Sequence, residues 1–425
     1  MCLCALVVAS ISAGDDPVRA LLSGDVAIRK DAARAILNSK DKSYIPSLLE
    51  IAFHYTATKD LDRYKEVNAI LQKLTGENRE RYFQWLQWIG AHPEIALRPD
   101  YLAVKKEVLS TIDPAFASFF HDEESLRIRA EEIVWGGVKK DGIPALKNPP
   151  HIPASKASYL RDSDRVFGVA LENESRAYPL KIMDWHEMAN DVVGGMSVSL
   201  SYCTLCGSAI LYNGRIGDQT FTFGSSGLLY RSNKLMYDHQ TESLWSELQG
   251  VPVVGKLANR KIKLEVLPIV TTTWGEWRRR HPETTVLSIE TGFQRDYDTG
   301  PYKQYFESKD LMFPVPVLND ALQPKDFVFA LRVGGAMKAY PLDLLLSKKI
   351  LRDRVGEMDV VLVAETEGKS VRAYRCEAAV DSTWKGSEES IVSPDGVQKC
   401  PRLPGHLAYW FGWYAQFPDT PLYKD

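Results

Sequence analysis

Through roughly the first third of the chain, apolar residues return at three- and four-residue spacing. In Asp25-Val-Ala-Ile-Arg-Lys-Asp-Ala-Ala-Arg-Ala-Ile-Leu37, the residues Ile28, Ala32, Ala35 and Ile36 fall on one face, which predicts an amphipathic helix. A second helix is predicted over Ser43-Tyr-Ile-Pro-Ser-Leu-Leu-Glu-Ile-Ala52, where Pro46 falls in the first turn and is tolerated there. Asp122-Glu-Glu-Ser-Leu-Arg-Ile-Arg-Ala-Glu-Glu-Ile-Val134 reads as a further helix. The pattern fits either a HEAT-type helical repeat or a plain bundle, over residues 14–135.

Around Trp135-Gly-Gly-Val-Lys-Lys-Asp-Gly-Ile-Pro144 and Asn148-Pro-Pro150 the period changes, because glycine and proline interrupt helices. Short β-branched and aromatic runs follow, among them Val166–Leu171, Ser197–Tyr202, Gln219–Phe223 and Ser370–Tyr374, which predict strands. Gly224-Ser-Ser-Gly227 is expected as a hairpin turn; without a lysine and a following helix it is no phosphate cradle. The fold class expected is therefore α+β, a helical domain followed by a β-rich one.

The β-rich part repeats itself. Val166–Leu200 aligns without gaps to Val328–Leu362 at a constant offset of 162, with 12 identities in 35 positions. Unrelated segments of ordinary composition would share roughly one position in fifteen. The predicted unit is a strand, a return strand ending in Tyr-Pro, a short helix, a glycine turn and another strand. This divides the β-rich part into a first copy, 136–310, and a second copy with the C-terminal segment, 311–425. The copies differ in their polar chemistry: Trp185-His186-Glu187 faces Ser347-Lys348-Lys349, and only the first copy runs on into Cys203-Thr-Leu-Cys206. The shared scaffold does not require those residues, so the first copy is the candidate site.

Two thiols three residues apart at a strand end can point at one centre. A Cys2His set with His186, from a helix expected to begin after Pro179 and to carry Ile182, His186 and Asn190 on one face, suits copper or another soft transition metal. Met236 is the candidate fourth ligand. Glu187, Tyr237, Asp238, Thr241 and Trp245 are candidate pocket residues. A structural zinc ribbon would have to recruit Cys376 and Cys400, an atypical spacing, and His186-Glu-Met-Ala-Asn190 lacks the second histidine of a zincin. A Ser-His-Asp hydrolase drawn from Ser225 or Ser226, His186 or His239, and Asp238 has no Gly-x-Ser-x-Gly elbow. Two alternatives to the metal site stay open: a thiol-disulfide oxidoreductase, and a non-enzymatic interaction protein whose cysteine pair is structural.

Composition narrows the partners. The 52 basic and 55 acidic residues give a net charge of −3, with no electrostatic footprint for nucleic acid or an anionic membrane. A small molecule or a protein is the expected partner, and no membrane-spanning segment is expected. Residues 1–13, Met1-Cys-Leu-Cys-Ala-Leu-Val-Val-Ala-Ser-Ile-Ser-Ala13, resemble the apolar region and small-residue cleavage site of a secretory signal, without its basic start. An extracytoplasmic, disulfide-permissive location is the expectation.

The blocks "DGIPAL", "RAYPLKIMDWHEMANDVVGG", "SYCTLCGSAILY", "FTFGSSGLLYRSNKLMYDHQTESLWSELQG", "GPY" and "LPGHLAYWFGWYAQFPDTPLY" resemble, in order, the bacterial domain-of-unknown-function family numbered 3179. The resemblance covers roughly residues 130–425. It implies an extracytoplasmic protein and supplies no reaction, but its blocks include the positions of His186, Cys203, Cys206, Met236, Tyr237, Asp238, Thr241 and Trp245. Members usually carry Pro at the position of Thr204 and Arg at that of His239, which argues against His239 as a general ligand.

Overall fold

The computed structural model describes residues 16–120 and 126–425. The leader expected at 1–13 lies outside them. Helices run over Pro17–Ala20, Val26–Ser39, Tyr44–Ala57, Leu61–Thr75, Tyr82–Gly90 and Tyr101–Ser110. Their ends follow from local chemistry. Asp25 accepts from the Ala27 N–H at 2.7 Å to start the second helix, and Asp60 accepts from Arg63 N–H to start the fourth. Gly76, at φ +78°, closes the fourth in the left-handed conformation that glycine adopts without penalty.

Tyr44–Ala57 is buried along nearly its whole length and packs against the fourth, fifth and sixth helices. The result is a bundle around one central helix, and this arrangement does not confirm a HEAT-type stack. Residues 126–134 do not form the expected α-helix: a 3-10 turn at Ala130–Glu132 leads into a strand, Ile133–Trp135. That strand pairs antiparallel with Phe223–Tyr230, and tertiary pairing overrides the local helical pattern. The buried Lys105 ammonium bonds Glu50 Oε1 and the Ile133 carbonyl, each at 2.7 Å, and so pins the bundle to this sheet.

The repeat is realised element for element. Arg165–Leu171, Glu174–Pro179, Leu180–His186, Met188–Val193 and Met196–Cys203 correspond to Phe327–Val333, Ala336–Pro341, Leu342–Lys348, Ile350–Val355 and Met358–Glu365, every boundary offset by 162. The shared identities have structural work to do. Tyr178 O–H donates to Asp191 Oδ2 at 2.7 Å and Tyr340 O–H to Asp353 Oδ2 at 2.8 Å. Gly194 and Gly356, at φ +57° and +58°, make the matching turns.

Gly224–Gly227 is not a hairpin turn. It lies inside the strand Phe223–Tyr230, which shifts register between Ser225 and Leu229, and the expected strand 219–223 breaks before it. The turn that joins this strand to Asn233–Asp238 is Arg231-Ser232. Among the described residues no helix is long and apolar enough to cross a membrane.

Candidate functional site

The strand Met196–Cys203 ends in a tight bend and returns as Ser208–Asn213, with Cys203 paired to Ser208. Within the bend the Cys206 N–H donates to the Cys203 carbonyl at 3.2 Å, and Gly207 takes φ +58°. A side chain there would meet the rings of Phe327 and Tyr409. Both thiols are free and buried, at 2% and 0% exposure. Both donate to one acceptor, the Ser232 carbonyl, from 3.9 Å at Cys203 and 3.4 Å at Cys206.

That carbonyl is delivered by an unusual turn. Arg231 and Ser232 both sit in the left-handed region, at φ +48° and +64°. Two-residue hairpins of this kind favour Asn-Gly, and non-glycine residues there cost on the order of 1–3 kcal/mol each. The surroundings hold the turn: Arg231 makes two bonds to the Glu132 carboxylate, at 2.6 and 3.0 Å, and one to the Ala415 carbonyl at 3.0 Å.

Beside the thiols lies a buried polar network. Glu247 accepts from Asn233 Nδ2 at 2.8 Å and from Ser208 Oγ at 3.1 Å. Burial pushes the Glu247 carboxyl up to about 8, with Asn233 opposing. Asn233 also faces Cys206, whose thiol burial pushes well above its ordinary value, with Cys203 adding to the rise. Lys234, buried, donates to the Glu187 carbonyl at 2.9 Å and lies 3.5 Å from its carboxylate. Thr204 and Tyr302 hydroxyls both donate to Glu187 Oε1 at 3.0 Å. The Lys234 charge also pulls the Glu247 carboxyl down, against the larger effect of burial.

The expected coordination set does not assemble. His186 Nδ1 lies 2.8 Å from the Pro144 carbonyl and Nε2 lies 2.7 Å from Tyr297 O–H, so neither ring nitrogen is turned to the sulfurs. The helix stops at His186 because Glu187 turns left-handed, at φ +55°, and Asn190 falls on the following strand rather than on the helix face. Met236 packs in a different core, with Trp245, Phe223 and Ile210. Among the described residues no group of three or more His, Cys, Asp or Glu side chains is arranged to hold a metal ion. Cys376 and Cys400 are bonded to each other.

The other expected pocket residues divide. Asp238 accepts from Thr241 N–H at 2.6 Å, Thr241 O–H at 2.9 Å and Trp245 Nε1–H at 2.9 Å, which makes a locked turn. Tyr237 donates to Asp141 at 2.6 Å and lines a separate cleft of about 470 Å³ with His239 and Phe293. Only Glu187 and the two cysteines meet in one site. Sequence reading missed Glu247, Asn233 and Asp184. Asp184 was within reach, since the second copy has Leu346 at its place; burial pushes its carboxyl up to about 7, and it lines a cleft of about 820 Å³. Glu247 lies outside the repeat and no pattern marks it.

Fold and site together define an α+β protein with a twinned β unit, one copy of which holds a buried dithiol beside a buried carboxyl. Residues 140–420 match the family described as Protein of unknown function (DUF3179). The match spans well over half of the chain, which belongs to that family. No curated protein and no solved structure matches it.

Proposed function

We propose that Cys203 and Cys206 form a guarded redox couple that passes between dithiol and disulfide, with Glu247 as its proton acceptor and donor. One observation carries the reading: two free thiols share the Ser232 carbonyl, while the Asn233 amide joins Cys206 to a carboxyl poised near 8. A group whose pKa lies near ambient pH both takes and returns a proton efficiently. The co-reactant is a small external disulfide. One protein thiol gives its proton to the solvent and attacks it, forming a mixed disulfide and expelling a thiolate that takes up that proton; the second protein sulfur, its proton taken by the ionised form of Glu247, attacks the mixed disulfide and displaces the other thiolate, to which Glu247 returns the proton. Two protein S–H bonds and one external S–S bond become one protein S–S bond and two external S–H bonds.

Burial and the raised Cys206 thiol make this couple slow at rest, since thiolate is the reactive form. The Cys376–Cys400 disulfide supports an oxidising, extracytoplasmic location for the chain.

The test is equilibration in glutathione buffers of graded redox ratio, followed by alkylation under denaturing conditions and mass measurement. The expected result is one two-electron transition confined to Cys203 and Cys206, absent in Cys203→Ser, with its approach to equilibrium slowed in Glu247→Gln. A pair that stays fully reduced at every ratio would defeat the proposal. The rival reading, two thiolates holding a soft ion such as copper, forecasts one equivalent of bound metal and thiols that resist oxidation.

A further inference from the structure

The cleft of about 820 Å³ lined by Leu180, Lys181 and Asp184 of the Leu180–His186 helix does not have either thiol in its lining. Its volume falls within the range of about 300–1,000 Å³ typical of small-ligand sites. Asp184 lines it and is 8% exposed; its Oδ1 is covered and has no hydrogen-bond partner, while the carboxyl also takes a bond from Tyr202, which opposes the rise that burial causes. A buried polar atom left unpaired costs about 1–3 kcal/mol, so a donor group placed there would be favoured. Gly300 stands across from the other oxygen, where a Cβ would come to 3.8 Å from Asp184 Oδ2.

The walls and rim add the remaining chemistry. Tyr159 and Tyr297 are fixed in place, the first by a bond to the Leu287 carbonyl and the second by His186 and Thr291. Lys181 is already paired with Asp164 and Asp298. Arg161 and Lys303 are exposed at the rim, and neither has an ion-pair partner among the described residues. The cleft thus carries two unpaired cations, Arg161 and Lys303, one exposed and unpaired acid among the described residues, Glu307, and the buried Asp184 carboxyl, together with the rings of Tyr159, Tyr297 and Phe306.

We propose that this cleft binds a small organic acid that also carries a hydroxyl or amine. Arg161 and Lys303 hold its acid group, Asp184 takes its donor group, and its carbon skeleton lies along Tyr159 and Tyr297. The raised carboxyl of Asp184 supports this, since a site that hydrogen-bonds a ligand donor gains most where water is scarce.

The test is calorimetric titration of the full chain at pH 7.5 with glucuronate and phenylalanine, each holding both groups, against glucose and benzoate, each holding one. Glucuronate or phenylalanine is expected to bind with Kd below about 1 mM, and the controls at least about tenfold more weakly. Asp184→Asn and, separately, the exposed-site change Lys303→Ala are each expected to weaken that binding about tenfold or more. Arg161→Ala supplies a rim variant should Asp184→Asn fail to fold. Absence of binding by both full probes, equal binding of either control, or unchanged affinity in the variants would overturn the assignment. Cys203→Ser should leave this binding as it is, so the outcome is separable from that of the redox reading.

Discussion

At the scale of single residues, three buried ionisable groups contribute to how stability follows pH. Glu247 and Asp184 hold protons in the folded chain up to about 8 and about 7, against ordinary values of 4.5 and 3.8. The unfolded chain sheds those protons earlier, so the stability they contribute at low pH is lost as pH rises towards the folded values. His406 acts in the opposite sense. Burial lowers it to about 3 from 6.5, so stability is lost as pH falls below the ordinary value. Glu247→Gln is therefore expected to flatten the decline between pH 5 and 8 by an amount on the order of a few kcal/mol, read from urea midpoints across that range. The same scale shows where sequence reading ran out. His186 has the residue type of a ligand, but its hydrogen bonds to Pro144 and Tyr297 depend on segments 42 and 111 residues away. Glu247, the group that matters most beside the thiols, sits in "SELQG" with nothing local to distinguish it from a surface glutamate.

At the scale of elements, the twinned unit was legible because its constraints are local: a Tyr reaching an Asp 13 residues on, and a glycine at a left-handed turn. Those identities identify scaffold, and the unmatched positions identify site, which is why the comparison located the cysteines, Glu187 and, in hindsight, Asp184. Tyr178→Phe should destabilise by about 1–3 kcal/mol in a denaturant titration, as expected for a buried acceptor losing its donor. Tyr340→Phe should cost less, since Asp353 is about three times as exposed as Asp191, at 15% against 5%, while each keeps a cation at 2.7 Å. The expected helix, over its described residues 126–134, and the turn at Gly224–Gly227 went the other way. In both places a partner strand, Phe223–Tyr230 for the first and Asn233–Asp238 for the second, decides the conformation, and sequence periodicity carries no information about partners.

At the scale of the whole molecule, the family boundary at residue 140 does not coincide with a boundary in the core. Leu228, Tyr230, Leu235, Leu244 and Val254 of the β-rich part share one buried cluster with Ile45, Leu48, Trp85 and Phe116 of the helical part. A fragment beginning at residue 140 should expose that cluster and precipitate, or bind a hydrophobic dye strongly, where the full chain does not. A second tie runs over the thiols. Val315 is buried in the cluster of Cys203 and Cys206, with Phe313 packed on it, and Phe313 stacks edge-on to Phe83 of the helical part at 5.9 Å. Next to it Pro316 fills the space where a side chain on Gly90 would stand. Gly90→Ala is expected to lift this strap and speed alkylation of the cysteines in native protein several-fold, with little change in the β-rich part. Because that one proline nests in the helical bundle, the sulfurs' shelter is only as durable as the helices. Mild heat that loosens the bundle first would bare both sulfurs to peroxide while the sheets still stand, and the sulfenic acid formed on one would be caught by the other as a disulfide, with loss of water.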